Sequence, residues 1–245
     1  MNQAIRTAIV TGASKGIGAA IARRLAADGF ATIVNYATSS AEADEVVASI
    51  RSAGGAAIAV HADVSDAAAM RALFDVAENE FGPVDVLVNN AGISKVSPLA
   101  EVSDEDFQHQ IAVNLTGSFN GMREGAKRVR NGGRIVNMST SIIGAYLPNV
   151  AVYAATKAAV EALTHVLAKE LGARGVTVNA VAPGPVATEL FLTGRSEEVI
   201  RRAIADIPLG RLGQPDDIAQ IVSFLASAGS GWVNGQVVKA NGGRN

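Results

Sequence analysis

The chain of 245 residues has no cysteine, which excludes a disulfide framework, thiol catalysis and any cysteine-based metal site. Aromatic residues are scarce, at 4%, and no basic run or aromatic–basic interleaving occurs. With a formal net charge of -2, the chain lacks the cationic surface that nucleic acid demands, so no nucleic-acid partner is expected. The histidines number 3. His61, His109 and His165 are scattered without metal-ligand spacing, so no metal is expected. No apolar run approaches the ~20 residues that span a bilayer, and no membrane partner is expected. The first strand begins within a few residues of the start, leaving no room for a signal peptide, and the expected location is the cytoplasm.

What the chain does have is small apolar residues. Hydrophobic residues make up 49% and glycines number 25, a composition that suits helices packed closely on a sheet. Thr7–Val10, Ala31–Asn35, Ala57–His61, Val84–Val88, Arg134–Met138, Val176–Val181 and Gln236–Lys239 read as strands. Helices are expected over about 17–28 and 41–52, then from an N-cap at Ser65 to Phe81. Further helices are expected from a capping box at Ser103–Asp106, from the segment holding Tyr153 to about Arg174, and near 196–205 and 215–226. Near-continuous Val/Ile strands alternating with helices imply an α/β fold. The expectation is a single Rossmann-type, doubly wound sheet of seven parallel strands with helices on both faces. No linker, repeat or low-complexity segment divides it, so residues 1–245 are expected to form one domain, with a substrate lid at about 189–208.

Two motifs carry chemistry. Thr11-Gly12-Ala13-Ser14-Lys15-Gly16-Ile17-Gly18 lies between the first strand and the first helix. Missing side chains there let the backbone approach a pyrophosphate at the helix N-terminus, where dipole and N–H groups favour an anion. The spacing G-x-x-x-G-x-G differs from the common dinucleotide fingerprint, and the GK[ST] ending of a P-loop is missing. The same letters contain G-x-S-x-G, the nucleophile elbow of α/β-hydrolases. That alternative requires a later acid and then a histidine on a loop. His61 comes too early, and His109 and His165 fall in expected helices.

The elbow also leaves the second motif unexplained. Tyr153 and Lys157, at i and i+4, stack one turn apart on one helical face. An ammonium beside a phenol favours the phenolate, lowering the tyrosine pKa from ~10 and letting it exchange a proton near neutrality.

With both motifs in place, the chain resembles the short-chain dehydrogenase/reductase family over essentially its full length, and within it the 3-oxoacyl-(acyl-carrier-protein) reductases. Asn89-Asn90-Ala91-Gly92 follows the fourth strand as the family's NNAG does. Asn114, in IAVNLTGSF, matches the helix asparagine that in the family orients a water beside the active-site lysine. Pro183-Gly184-Pro185-Val186-Ala187-Thr188 looks like the PG-x-[VI]-x-T segment that contacts the nicotinamide.

The resemblance implies hydride transfer between NADP(H) and a ketone or 3-oxoacyl-type substrate, with Tyr153 as general acid/base. Lys157 would lower the tyrosine pKa and hold the nicotinamide ribose. The cofactor would lie against Gly12, Ser14, Lys15, Gly16, Ile17, Gly18, Asn35, Ser39, Asp63, Val64, Asn90, Ala91, Gly92, Tyr153, Lys157, Pro183, Gly184, Val186 and Thr188. A homotetramer is implied as well.

A strand-end hydroxyl would bind the substrate oxygen, and Ser139-Thr140-Ser141-Ile142-Ile143-Gly144 offers three. Counting back from Tyr153 lands on Thr140. Aligning on S-x-x-G selects Ser141, the preferred residue, because a loop absorbs a deletion more readily than the glycine turn moves.

Charge bears on the cofactor. A site for NAD carries an acid at the end of the second strand, whereas Asn35-Tyr36-Ala37-Thr38-Ser39-Ser40 has none, and the next acid is Glu42. Lys15 is placed as in the family's NADP-binding members to meet a 2′-phosphate. Two other classes stay open. Sugar-nucleotide epimerases and dehydratases share the Y-x-x-x-K helix but generally add a C-terminal substrate domain. Nucleotide sensors of this fold usually lose the tyrosine or the lysine. The lid, apolar at Leu190, Phe191 and Leu192 and basic at Arg195, Arg201 and Arg202, suits an acyl thioester, a cyclic ketone or a small diketone alike.

Overall fold

In a computed structural model that describes residues 6–245, the Val/Ile runs pair side by side in one sheet. Residues 1–5 of the expected 1–245 domain lie outside the described residues. The strands are β1 (Arg6–Val10), β2 (Phe30–Tyr36), β3 (Ala57–His61), β4 (Val84–Asn89), β5 (Arg134–Met138), β6 (Thr177–Pro183) and β7 (Val237–Ala240). They form a 7-stranded sheet in the order β3-β2-β1-β4-β5-β6-β7, and every neighbouring pair is parallel. The order reverses between β1 and β4. In open α/β sheets that switch point, at the carboxyl ends of the strands, is where ligands bind.

Helices cover both faces, as continuously apolar strands demand. One face packs under α1 (Gly16–Ala27), α2 (Ser40–Ser52) and α10 (Pro215–Ala226), with Ile21, Leu25, Val34, Ile218 and Leu225 in its core. The other packs under α3 (Ala67–Phe81), α5 (Gly117–Arg128) and α7 (Ala151–Leu171), around Met70, Leu73, Phe74, Leu87 and Ile135. Burying each such side chain contributes roughly 1.5–3 kcal/mol relative to exposure.

Close approach of α5 to the sheet depends on glycine. A Cβ at Gly121 would stand 2.0 Å from Asn89 Oδ1, and one at Gly125 would stand 2.9 Å from a Leu87 methyl.

Several boundaries differ from the sequence reading for local reasons. Ser65 does not cap α3; its hydroxyl and N–H both donate to Asp63 Oδ1 at 2.8 Å, and Asp66 caps through Ala68 N at 2.7 Å. Ser103 does cap α4 (Asp104–Gln110), accepting from Asp106 N at 3.1 Å. The helix expected from the Ser103–Asp106 capping box is α4 and then α5 (Gly117–Arg128), joined through a π-helical turn at Ile111–Thr116, a deformation that often marks functional sites. The expected lid consists of two pieces, α8 (Glu189–Leu192) and α9 (Glu197–Ala205). Before α7, a short turn α6 (Ile142–Ala145) follows β5. Among the described residues no helix is long and apolar enough to cross a membrane.

Candidate active site

The glycine loop leaves β1 at the switch point and is locked from the neighbouring strand. Thr11 Oγ1 accepts from the N–H groups of Asn90 (2.9 Å) and Ala91 (3.1 Å). In return, Asn90 Nδ2 donates to the carbonyls of Thr11 (2.9 Å) and Gly12 (3.0 Å). Gly12 has φ 60°, and a Cβ there would stand 2.8 Å from Ala91 Cα. A Cβ at Gly18 would meet the Gly12 carbonyl at 2.3 Å. The loop therefore seats against the NNAG segment only as glycine.

Just beyond it α1 begins with no side-chain cap and no acidic residue in its first turn. Its leading N–H groups have no intrahelical partners, and the helix dipole adds positive potential. An anion from outside the chain fits this cradle, and the pyrophosphate of a dinucleotide is such an anion.

The remaining residues expected at the cofactor surround this cradle. Asn35 is buried and its amide works inside the protein: Oδ1 accepts from Gly12 N at 3.2 Å, and Nδ2 donates to Ala62 O at 3.0 Å. It shapes the glycine loop from behind. Ser39 is the N-cap position of α2 and makes no side-chain cap bond. The Asp63 carboxylate holds Ser65, and Val64 is buried so tightly that a Cβ at Gly117 would lie 2.5 Å from its methyl. Ser14, Gly16 and Ile17 are half-buried at the start of α1. Thr188 faces Gly16 across the loop, 3.5 Å from where a Gly16 Cβ would stand. Pro183 ends β6, Gly184 N donates to Ala240 O at 2.9 Å, and Thr188 N donates to Val186 O at 2.8 Å. Lys15 is exposed and its ammonium pairs with Glu189 at 2.9 Å.

Tyr153 and Lys157 project from the first half of α7 toward the ends of β4 and β5. Lys157 is buried and donates to Met138 O at 2.8 Å. Asn114, on the π turn, is fully buried; it accepts from Ile93 N at 2.8 Å and donates to Ile93 O at 2.9 Å. A Cβ at Gly92 would stand 3.3 Å from both Asn114 Oδ1 and Lys157 Nζ, so the NNAG glycine leaves these two groups room beside it.

Burial pushes the Tyr153 phenol up, partly opposed by a hydrogen bond from the Thr140 side chain. Burial likewise pushes Lys157 down, to about 8. This departs from the expectation that the lysine lowers the tyrosine. The ammonium stands 6.0 Å from the ring centroid, and loss of water is the dominant influence on the phenol.

Of the three hydroxyls, Thr140 is the one whose side chain opposes the rise of the phenol. Its oxygen accepts from Ile142 N at 3.3 Å, which leaves its O–H to donate. Ser141 is held through its backbone: its N–H donates to Pro183 O at 2.9 Å, and its carbonyl accepts from Asn245 Nδ2 at 2.8 Å. Ser139 donates to Glu161 Oε1 at 2.6 Å. The sequence reading did not single out Glu161 or Asn137, and it named Thr11 only as the first residue of the glycine motif. The signal for Glu161 was present, since it falls four residues after Lys157 on the face that carries the pair. His165 bonds Gly235 O at 2.9 Å, and His61 packs edge-on against Tyr36. Among the described residues no hydrogen bond joins a histidine to Ser14, and the hydrolase alternative has no geometric support.

A doubly wound sheet with a glycine-loop anion site at its switch point and a Tyr/Lys pair beside it defines a nucleotide-dependent oxidoreductase architecture. A family model described as "Enoyl-(Acyl carrier protein) reductase" matches residues 12–245. The chain is 46% identical to NADPH-dependent aldehyde reductase 2, chloroplastic, of Arabidopsis thaliana, over 97% of this chain and 93% of that protein. It is 41% identical to the 3-oxoacyl-[acyl-carrier-protein] reductase of Staphylococcus aureus, over 97% of each. A short chain dehydrogenase from Burkholderia cenocepacia, solved in complex with NADP, superposes with a TM-score of 0.93 at 36% identity, covering 100% of both chains. The chain belongs to the short-chain dehydrogenase/reductase family.

Proposed function

We propose that the protein is an NADP-dependent carbonyl reductase, or alcohol dehydrogenase in reverse, acting on a ketone, aldehyde or 3-oxoacyl-type substrate. The observation that carries this reading is the convergence of Tyr153, Thr140 and Lys157 at the end of β5, beside the uncapped N-terminus of α1. NADPH, when bound, supplies the hydride. The chain supplies the rest.

With its pKa raised by burial, Tyr153 holds its proton at neutral pH and can deliver it from Oη to a carbonyl oxygen. Thr140, in place of the expected Ser141, would turn its hydroxyl from the phenol to the same oxygen. Lys157, anchored on Met138 O, keeps a cation beside the developing alkoxide and phenolate, where water is excluded and its charge acts strongly. Asn114 fixes the Ile93 backbone at the pocket wall. NADPH consumption with a panel of aldehydes, ketones and 3-oxoacyl thioesters tests the reading. Turnover of at least one class supports it, whereas tight NADPH binding without any turnover would indicate a sensor.

Lys15 is the residue through which the chain would read the 2′-phosphate, exchanging Glu189 for the phosphate. Lys15→Ala is expected to raise KM for NADPH, relative to NADH, by the loss of a charge-assisted contact of about 1.5–3 kcal/mol, or roughly tenfold to a hundredfold. Steady-state kinetics with both nucleotides check this; parallel shifts would show that Lys15 does not discriminate.

The reading also places the protein in the cytoplasm as a homotetramer. Phe119 on α5 and Val166 on α7 are exposed apolar side chains, and Trp232 is fully exposed before β7, which suits self-complementary interfaces. Light scattering at micromolar concentration is expected to give four times the chain mass, and a monomer would contradict the assembly.

A further inference from the structure

The end of β5 is stitched to α7 through consecutive residues. Asn137 Nδ2 donates to Thr164 Oγ1 at 2.9 Å, and the Met138 carbonyl accepts from Lys157 Nζ at 2.8 Å. Ser139 Oγ donates to Glu161 Oε1 at 2.6 Å, and the Thr140 hydroxyl meets Tyr153. On the helix these partners recur at spacings of three and four, so one face of α7 bears on the strand end. The proposed function gives roles to Lys157, Thr140 and Tyr153. It leaves the Ser139–Glu161 bond without one.

Sheet bonds hold this strand end from one side only. Pairing with β4 ends at Asn89↔Asn137, and pairing with β6 ends at Met138↔Val181. Beyond those pairs, Ser139 N donates to Val181 O at 2.7 Å and Ser141 N to Pro183 O at 2.9 Å. Such bonds run within the sheet, between strands. They hold residues 139–141 against β6, and the side-chain bonds to α7 add a hold from the helix side. Ser139 sits between the carbonyl that anchors Lys157 and the hydroxyl that meets Tyr153. Its own side-chain bond is short and ends on a carboxylate, which makes it one of the stronger hydrogen bonds of the region.

We propose that Glu161 is a positioning residue: by holding Ser139 it sets the Met138 carbonyl and the Thr140 hydroxyl at the separation from α7 that Lys157 and Tyr153 require. The inference rests on the reading of Tyr153 as the acid and Thr140 as its companion donor. A displacement of about 1 Å at such a site costs up to 10²-fold in rate, so the effect belongs in kcat.

The test compares wild type, Tyr153→Phe, Glu161→Ala, Glu161→Gln, Ser139→Ala and Glu161→Ala/Ser139→Ala, with NADPH and either 4-nitrobenzaldehyde or ethyl acetoacetate as the probe. Glu161→Ala and Ser139→Ala are expected to lose about 10–100-fold in kcat, with NADPH Kd within a few-fold of wild type. The double variant should be no worse than either single one, because both remove one bond. Glu161→Gln, whose amide oxygen still accepts from Ser139, should recover most of kcat; a merely structural role would instead follow melting temperature. Should Glu161→Ala fail to fold, Ser139→Ala carries the same expectation with a smaller change in volume. Normal kcat in Glu161→Ala and Ser139→Ala beside an inactive Tyr153→Phe would overturn the inference and leave the proposed function standing. An inactive wild type or an active Tyr153→Phe would remove that function, and this inference with it.

Discussion

Tyr153→Phe is expected to lower turnover by about 10²–10⁴-fold, the usual contribution of a general acid, while NADPH affinity stays within a few-fold. The phenylalanine keeps the ring that packs beside Lys157 and removes the oxygen that Thr140 bonds. Only the proton donor is lost, so the deficit should appear in kcat. Lys157→Ala should behave differently. It empties a buried position hydrogen-bonded to Met138 O, and both turnover and cofactor binding should suffer. Steady-state kinetics and NADPH titration of the two variants separate these patterns. More than about a tenth of wild-type activity in Tyr153→Phe is incompatible with general acid catalysis of this size.

Thr140→Ala carries the second large effect. Removing a donor aimed at a developing oxyanion typically costs about 10²–10³ in kcat, and Thr140→Ser, which keeps the hydroxyl, should be nearly silent. Ser141→Ala should retain most activity, because the bonds that hold Ser141 come from its backbone N–H and carbonyl. Kinetics of the three variants decide between the two registers. A normal Thr140→Ala enzyme beside a severely impaired Ser141→Ala enzyme would reinstate the glycine-turn alignment.

The contrast between these residues shows where the sequence is explicit and where it is silent. Most strand and helix identities were legible because the buried strands are rich in Val and Ile and most helices are bounded by glycine or a polar residue. The limits of β3, β5 and α10 agree with the structure to the residue. The glycine loop was legible because steric demands such as those at Gly12 and Gly18 leave glycine as the residue that fits. The cap of α3 was not, since Asp63, by claiming the Ser65 hydroxyl, passes the capping role to Asp66.

At the site, the sequence names Tyr153 and Lys157 by spacing but carries no measure of their burial. Their interaction was therefore read as a lowered tyrosine pKa, whereas burial raises the phenol and lowers the ammonium. The choice among Ser139, Thr140 and Ser141 was equally hidden. Three adjacent hydroxyls are equivalent in one dimension, and packing against α7 is what turns Ser139 to Glu161 and leaves Thr140 as the one that acts on the phenol.

The central claim is that this site reduces a carbonyl with a hydride from NADPH while Tyr153 supplies the proton. It is tested most directly with NADPH carrying deuterium at the reactive carbon of the nicotinamide, incubated with a carbonyl the wild-type protein accepts. The alcohol is then analysed by mass spectrometry. The account predicts one deuterium on the carbinol carbon, no solvent hydrogen at that position, and labelled alcohol formed at least about 10²-fold more slowly by Tyr153→Phe. An alcohol whose carbinol hydrogen comes from solvent, or labelled alcohol formed equally well by Tyr153→Phe, would contradict it.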